Sequence, residues 1–391
     1  MTRRYPTIGR NESNDLPTRV IGRVGDGSGP TLVCVGSLHG NEPAGVVALK
    51  RVFAELDAAH PSISGEFVGI AGNLAALAMQ RRYVDHDLNR CWRSDRVDRL
   101  RTGDGRSSVH AAEDTELLEV LSIVDEVAGR ARGEVFFLDL HTTSGDSPSF
   151  GTIADTLRNR AFALRFPVPI VLGLEEHLDG TFLEYVNNLG FVTMGFEGGQ
   201  HDDPTSVDRI ERCIWVGLAA AGVLSEQDGV PQVAIARRAL ASGAEPFPRV
   251  LEVRHRHPVA EGDGFRMEPG FASFDPVRAG QLLARDRTGP LPAREAGRVL
   301  LPLYQPQGDD GFFLMREFSD FWLGLSAMLR RLRLDAMLHV FPGVARSRAE
   351  PHTLIIDRRV ARWFALQVAH LLGYRKRRMD GETLIVTRRS E

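Results

Sequence analysis

The chain has 391 residues, 43% hydrophobic and 25% charged, a balance that supports one large core with an appended domain and excludes large-scale disorder. A formal charge of -3 gives no case for nucleic-acid or membrane-surface binding by the chain as a whole and leaves small polar molecules as partners. The three cysteines Cys34, Cys91 and Cys213 are odd in number and widely spread, which argues against a disulfide framework and for the cytoplasm.

Residues 1–17 are polar and charged, without an apolar signal core, and no later apolar run approaches the roughly 18 residues that span a bilayer. A strand is predicted over Arg19 to Val24 and, after a glycine-rich turn, a buried strand over Thr31 to Ser37. A helix follows, with Pro43 tolerated in its first turn and an apolar face running from Val46 to Leu56. Further strands are expected at Phe67 to Ala71, Val135 to Leu140, Pro169 to Leu172 and Phe191 to Phe196. Helices are expected over Glu113 to Arg130, near Ala154 to Phe166, and over Ser206 to Gly222. This alternation implies an α/β fold in which a parallel or mixed sheet is flanked by helices, with ligands at the carboxyl ends of its strands.

Near Gln227 the pattern changes. Short apolar runs among many Gly and Pro between Pro248 and Phe313 predict a small β-rich domain. The last segment reads as an α+β tail with a helix, a strand at Thr353 to Ile356, a helix at Val360 to Leu372 and a strand at Thr383 to Thr387. The expected division is 1–230 for a catalytic α/β domain, 231–316 for a β-rich domain capping the active site, and 317–391 for an extension that is net basic.

Three places carry candidate chemistry. His39 and Glu42 are separated by two residues just after the second strand, and His141 ends a later one. Two imidazoles and one carboxylate suit a single zinc ion with a fourth position left for water. A capping Glu and a hydrogen-bonded core His are the alternative for the same residues. The run Arg81 to Arg90 is rich in groups that bind carboxylates and oxyanions, with Asp87 placed to orient an arginine fork. Glu197 ends another apolar strand before two glycines, where burial and a nearby metal could tune it for proton transfer.

Together, His39-Gly40-Asn41-Glu42, Asn73 through Arg90 with Asp87-Leu88-Asn89-Arg90, Asp139-Leu140-His141 and Glu197-Gly198-Gly199 resemble the succinylglutamate desuccinylase/aspartoacylase family. Its members are zinc-dependent amide hydrolases related to the zinc carboxypeptidases. The resemblance implies that His39, Glu42 and His141 hold one zinc ion and that Glu197 is the general base. It also implies that Arg82 stabilises the oxyanion, and that Asn89 and Arg90 hold a substrate carboxylate. The stretch Val299 to Phe312 resembles the segment in which a Tyr reaches the active site, and Tyr304 is the matching position.

Acylaspartate-cleaving members carry a Tyr and an Arg where this chain has Leu183 and Asn187, which argues against acetylaspartate. The expected partner is an acylated amino-acid-like small molecule, with self-association also open. Two readings compete with deacylation. One is a carboxypeptidase-type peptidase. The other is a non-catalytic metal or ligand binder whose basic tail, through Arg375, Lys376, Arg377 and Arg378, holds a polyanion in a salt-sensitive way.

Overall fold

The structure is a computed structural model that describes residues 17–103, 111–225, 231–305, 307–334, 338, 340, 342–347, 352–357, 371–380 and 383–388, with the backbone alone at 375–380 and 383. The helix expected at Val360 to Leu372 therefore lies, apart from Leu371 and Leu372, outside the described residues, as do the side chains of Arg375, Lys376, Arg377 and Arg378.

In chain order the first part comprises β1 (Val20–Gly25), β2 (Thr31–Gly36), α1 (Ala44–Ala59), β3 (Glu66–Ala71), α2 (Leu74–Met79), α3 (Ser94–Thr102), α4 (Ala112–Arg130) and β4 (Val135–Thr143). Then come β5 (Phe150–Ile153), α5 (Leu157–Ala163), β6 (Ile170–Leu172), α6 (Phe182–Asn188), β7 (Val192–Gln200), α7 (Thr205–Ala220) and α8 (Pro231–Ala244). The β-rich part has β8 (Val250–Pro258), β9 (Arg266–Met267), β10 (Pro276–Val277), β11 (Leu282–Asp286), β12 (Gly289–Pro292), β13 (Gly297–Leu300) and β14 (Asp310–Glu317). The tail has α9 (Asp320–Arg331), β15 (Val344–Arg346), β16 (Thr353–Asp357), β17 (Tyr374–Asp380) and β18 (Thr383–Arg388).

One mixed sheet of eleven strands organises the molecule, in the order β1-β3-β2-β4-β7-β5-β6-β8-β14-β13-β10. β2 pairs in parallel with both β3 and β4, and β4 with β7, while β5 runs antiparallel to β7. Strands of the β-rich part extend this sheet, because β8 pairs in parallel with β6 and β14 pairs with β8. β9, β11 and β12 form a separate small sheet there, and β15 to β18 form another in the tail.

Continuous apolar runs become central strands because helices cover both faces. Leu32 and Cys34 of β2 pack with Leu49 and Val52 of α1 and Ile214 of α7, whereas Val33 and Val35 pack with Leu117, Val120 and Leu121 of α4. This two-sided burial fixes β2, β4 and β7 side by side and brings their carboxyl ends to one edge, where open α/β sheets bind ligands. The three cysteines are free and buried. Among the described residues no helix is long and apolar enough to cross a membrane.

Candidate metal centre

His39, Glu42 and His141 converge at that edge, each offering one ligand atom, with all three atoms within 4.8 Å of one another. The chain leaves β2 through Ser37, whose φ of +58° is unusual for a residue with a side chain. The Ser37 hydroxyl secures this bend by donating to the carbonyl of Glu42 at 2.9 Å. Gly40 is required here, since a Cβ would fall 2.1 Å from the backbone carbon of Ala76. The turn presents His39 and Glu42 just before α1, while His141 projects from β4 itself, two residues before that strand ends.

The nitrogens are assigned by their partners. His39 Nδ1 lies 2.9 Å from Glu42 Oε1, and His141 Nδ1 lies 3.1 Å from Glu42 Oε2. The opposite nitrogens donate to carboxylates, His39 Nε2 to Asp87 at 3.1 Å and His141 Nε2 to Asp139 at 2.7 Å. A carboxylate behind each imidazole is the arrangement that fixes ring orientation and raises ligand basicity in metal sites. The donor set therefore fits a divalent ion of the zinc type bound through both Nδ1 atoms and Glu42.

The loop carrying Arg82 and Asp87 is held from behind by α4. Glu113, buried in the first turn of that helix, accepts the backbone N–H groups of Val84, Asp85 and His86 at 2.7, 3.0 and 3.1 Å. Asp87 is thereby placed between two partners, accepting from His39 on one oxygen and from Arg82 Nε and Nη2 on the other, at 3.1 and 2.9 Å. Arg82 Nη1 remains directed toward the centre, 3.8 Å from Glu42 Oε1.

Glu197 stands on β7 directly opposite His141 of β4 in the parallel register. Its Oε2, like Oδ1 of Asp139, is buried without a hydrogen-bond partner. Two orphaned carboxylate oxygens beside a His–Glu–His cluster are what a site built around a cation leaves exposed to its interior.

The electrostatics follow the same geometry. Burial pushes Glu197 up, His141 pulls the other way, and Glu42 and Asp139 add to the rise, so its carboxyl stands at about 8. Burial opposes the charged form of Glu42, yet His39 and His141 outweigh it and hold this carboxyl well below the usual range. Burial likewise acts against protonation of His141, but Asp139 and Glu42 hold it well above the ordinary imidazole value. For Asp87, burial is outweighed by His39 and Arg82, and its carboxyl is held well down.

The other expected site residues divide. Asn89 and Arg90 line the pocket with Arg82 and Glu197. Arg90 Nη2 donates to Asp310 of β14 at 2.9 Å, and Arg256 grips the other oxygen of the same carboxylate. Tyr304 corrects an expectation. Its hydroxyl donates to the carbonyl of Glu268 at 2.8 Å and accepts from the N–H of Phe271 at 3.0 Å, which pins it to the β-rich segment and away from the pocket wall. Gln305, the next residue, lines the pocket instead.

Sequence reasoning did not single out Asp310, Glu175 or Gln305, all of which line the pocket, and gave no role to Asp139. The position of Asp139 two residues before His141 on one strand is the signal that could have found it, since i and i+2 share a strand face.

Residues 28–212 match the family model described as the succinylglutamate desuccinylase/aspartoacylase catalytic domain. This stretch is a catalytic domain of that family. The desuccinylase/aspartoacylase domain contains His39, Glu42, Arg82, Asp87, Asn89, Arg90, His141 and Glu197, and ends before Tyr304, Asp310 and the tail. A human N-acyl-aromatic-L-amino acid amidohydrolase (carboxylate-forming) is 34% identical over 113 residues, 28% of this chain, and the chain spans only 33% of that curated relative.

Among solved structures, a succinylglutamate desuccinylase/aspartoacylase from Rhodobacter sphaeroides is similar with a TM-score of 0.54 and 22% identity, over 76% of this chain and 88% of that one. The ectoine utilization protein EutE (DoeB) from Ruegeria pomeroyi is similar with a TM-score of 0.52 and 23% identity, over 75% and 87%. At such identities these structures speak to the fold, a mixed α/β sheet flanked by helices, which they share with the domain.

Proposed function

We propose that the chain is a zinc-dependent amidohydrolase that cleaves the amide bond of an N-acylated amino acid. The observation that carries this reading is the convergence of His39, Glu42 and His141 beside Glu197, a carboxylate with an unpartnered oxygen on the adjacent strand. The family match and the amidohydrolase name of the human relative support the same chemistry. Zinc held by the three side chains would supply the Lewis acidity for hydrolysis.

The chain's own residues supply the rest. Glu197 takes a proton from the attacking water as the water oxygen bonds to the acyl carbon, then returns that proton to the nitrogen as the C–N bond breaks. Arg82, with Nε and Nη2 occupied by Asp87, keeps Nη1 for the developing oxyanion. Asp87 and Asp139 hold the two imidazoles in the tautomer that leaves Nδ1 for the ion. Asn89 and Arg90 lie where they would meet the substrate carboxylate.

The pocket favours an amine half without a second carboxylate. Leu183 presents an apolar surface to it, and Asn187 is turned into the core, where its Oδ1 accepts from Asn159 at 2.8 Å. Assaying zinc-loaded protein against N-acyl amino acids beside short peptides tests the proposal. Turnover of the acyl amino acids is expected, and activity confined to peptides would contradict it.

A further inference from the structure

We infer that the C-terminal extension is a working part of the pocket, with Arg330 of α9 acting as a positioning residue for the wall formed by the turn Glu175–His177 and the start of α6. This rests on the deacylase reading only for what the pocket binds. The wall is substantial, since Leu174, Glu175, Leu178, Thr181 and Leu183 all line the pocket. They line the same pocket as His39, Glu42 and His141, so their place in it shapes what docks beside the centre.

The connection runs through buried polar groups. Arg330 and Asp155 have no exposed side-chain surface, and Arg330 donates to Asp155 Oδ1 at 3.1 Å and to its carbonyl at 2.6 Å. Arg160 closes the cluster, donating to both oxygens of Asp155 at 2.6 and 3.0 Å and to Ser326 Oγ of α9 at 3.2 Å. Ser326 in turn donates to the carbonyl of Leu371. Gly373 makes room for the guanidinium, because a Cβ there would sit 2.8 Å from Arg330 Cζ.

From Asp155 the chain of contacts leads to the pocket. The backbone N–H of Asp155 donates to Glu176 Oε1 at 2.7 Å, and the adjacent Glu175 accepts from Thr181 Oγ1 at 2.7 Å. Thr181 caps α6 by accepting from Glu184 N–H, and the next residue, Phe182, donates its N–H to Asn89 Oδ1 at 2.9 Å. Strand β17 of the tail packs on the same turn, so the extension reaches this wall directly through β17 and indirectly through Asp155. Desolvating two arginines and a carboxylate is a costly way to gain stability, and such clusters act better as devices that fix geometry.

The test uses full-length, zinc-loaded Arg330→Met, Arg330→Lys and Ser326→Ala proteins, read by amide hydrogen exchange over residues 174–183 and by KM and kcat on an N-acyl amino acid that the unmodified protein turns over. Arg330→Met is expected to exchange faster in that segment, with KM raised about two- to thirtyfold, the usual span for coupling through a contact network. Metal content and kcat should stay unchanged, and Arg330→Lys should recover part of the loss. A folded Arg330→Met variant with unaltered exchange, or with faster exchange and unaltered KM, overturns the inference. If Arg330→Met does not fold, Ser326→Ala must show the same pattern at smaller amplitude, and its equality with the unmodified protein overturns the inference too. Should the unmodified protein hydrolyse no acyl amino acid, the proposed function fails and the exchange measurement alone decides this one.

Discussion

Arg90 Nη2 and Asp310 Oδ2 lie 2.9 Å apart across 220 residues of sequence, so the guanidinium expected to bind a substrate carboxylate already holds one belonging to the chain. Under the proposed function, Asp310 competes with the substrate carboxylate for Arg90. Asp310→Asn is expected to lower KM for acyl amino acids with a free carboxylate by about three- to tenfold, the scale of one charge-assisted hydrogen bond in a partly solvated pocket. Carboxamide analogues should be unaffected. A rise in KM for the free acids would instead make Asp310 a support for Arg90.

Glu197 is the proposed proton carrier, and its removal should leave the metal ligands intact. Glu197→Gln is expected to retain zinc and lose roughly 10²- to 10⁴-fold in kcat, the contribution of a positioned general base. The base works only when ionised, so kcat/KM of the unmodified protein should fall as the pH drops. Since Glu197 stands at about 8 without a cation, bound zinc should move that limb to lower pH. Undiminished turnover by the variant would remove Glu197 from the mechanism.

Asp139 orients His141 through the 2.7 Å bond to Nε2. Asp139→Asn keeps the shape but can present an amide N–H in place of an acceptor. Zinc affinity measured against a competing chelator should drop about 10- to 100-fold. Unchanged affinity would show that the strand alone places His141.

His255 gives a pH dependence away from the site. Burial pushes its imidazole down to about 4, with Arg294, His257 and His177 adding to the effect. The unfolded chain binds this proton at about 6.5, so it takes up more protons than the fold as pH falls. The resulting stability is present above about 6.5 and is lost as pH drops through 4. Denaturation midpoints across this window should fall less steeply for His255→Gln than for the unmodified protein, and identical slopes would contradict the assignment.

The parts of the fold legible in the sequence are those with one strong local signal. The runs at Thr31 and Val135 predict β2 and β4 because both faces of those strands are buried. Short elements carry too little periodicity, so β5, α6 and β17 went unread, and with them the antiparallel pairing of β5 to β7. The convergence of His39, Glu42 and His141 could be read because their spacing is tied to strand ends. Asp310 could not, since it reaches the pocket through sheet pairing between distant segments, and Glu175 sits in a short turn that carries no periodic signal. Tyr304 failed for a related reason: one residue along the chain decides whether a side chain faces the pocket or the surface, and the backbone groups of Glu268 and Phe271 took it to the surface.

The proposed function stands on His39, Glu42 and His141 holding one catalytic ion. Its most direct test is metal analysis of the purified protein and of Glu42→Ala, alongside hydrolysis of an N-acyl amino acid before and after chelation. One zinc per chain is expected in the unmodified protein and none in the variant, with activity abolished by chelation and restored by zinc. Full hydrolysis by metal-free protein, or stoichiometric zinc retained by Glu42→Ala, would contradict it.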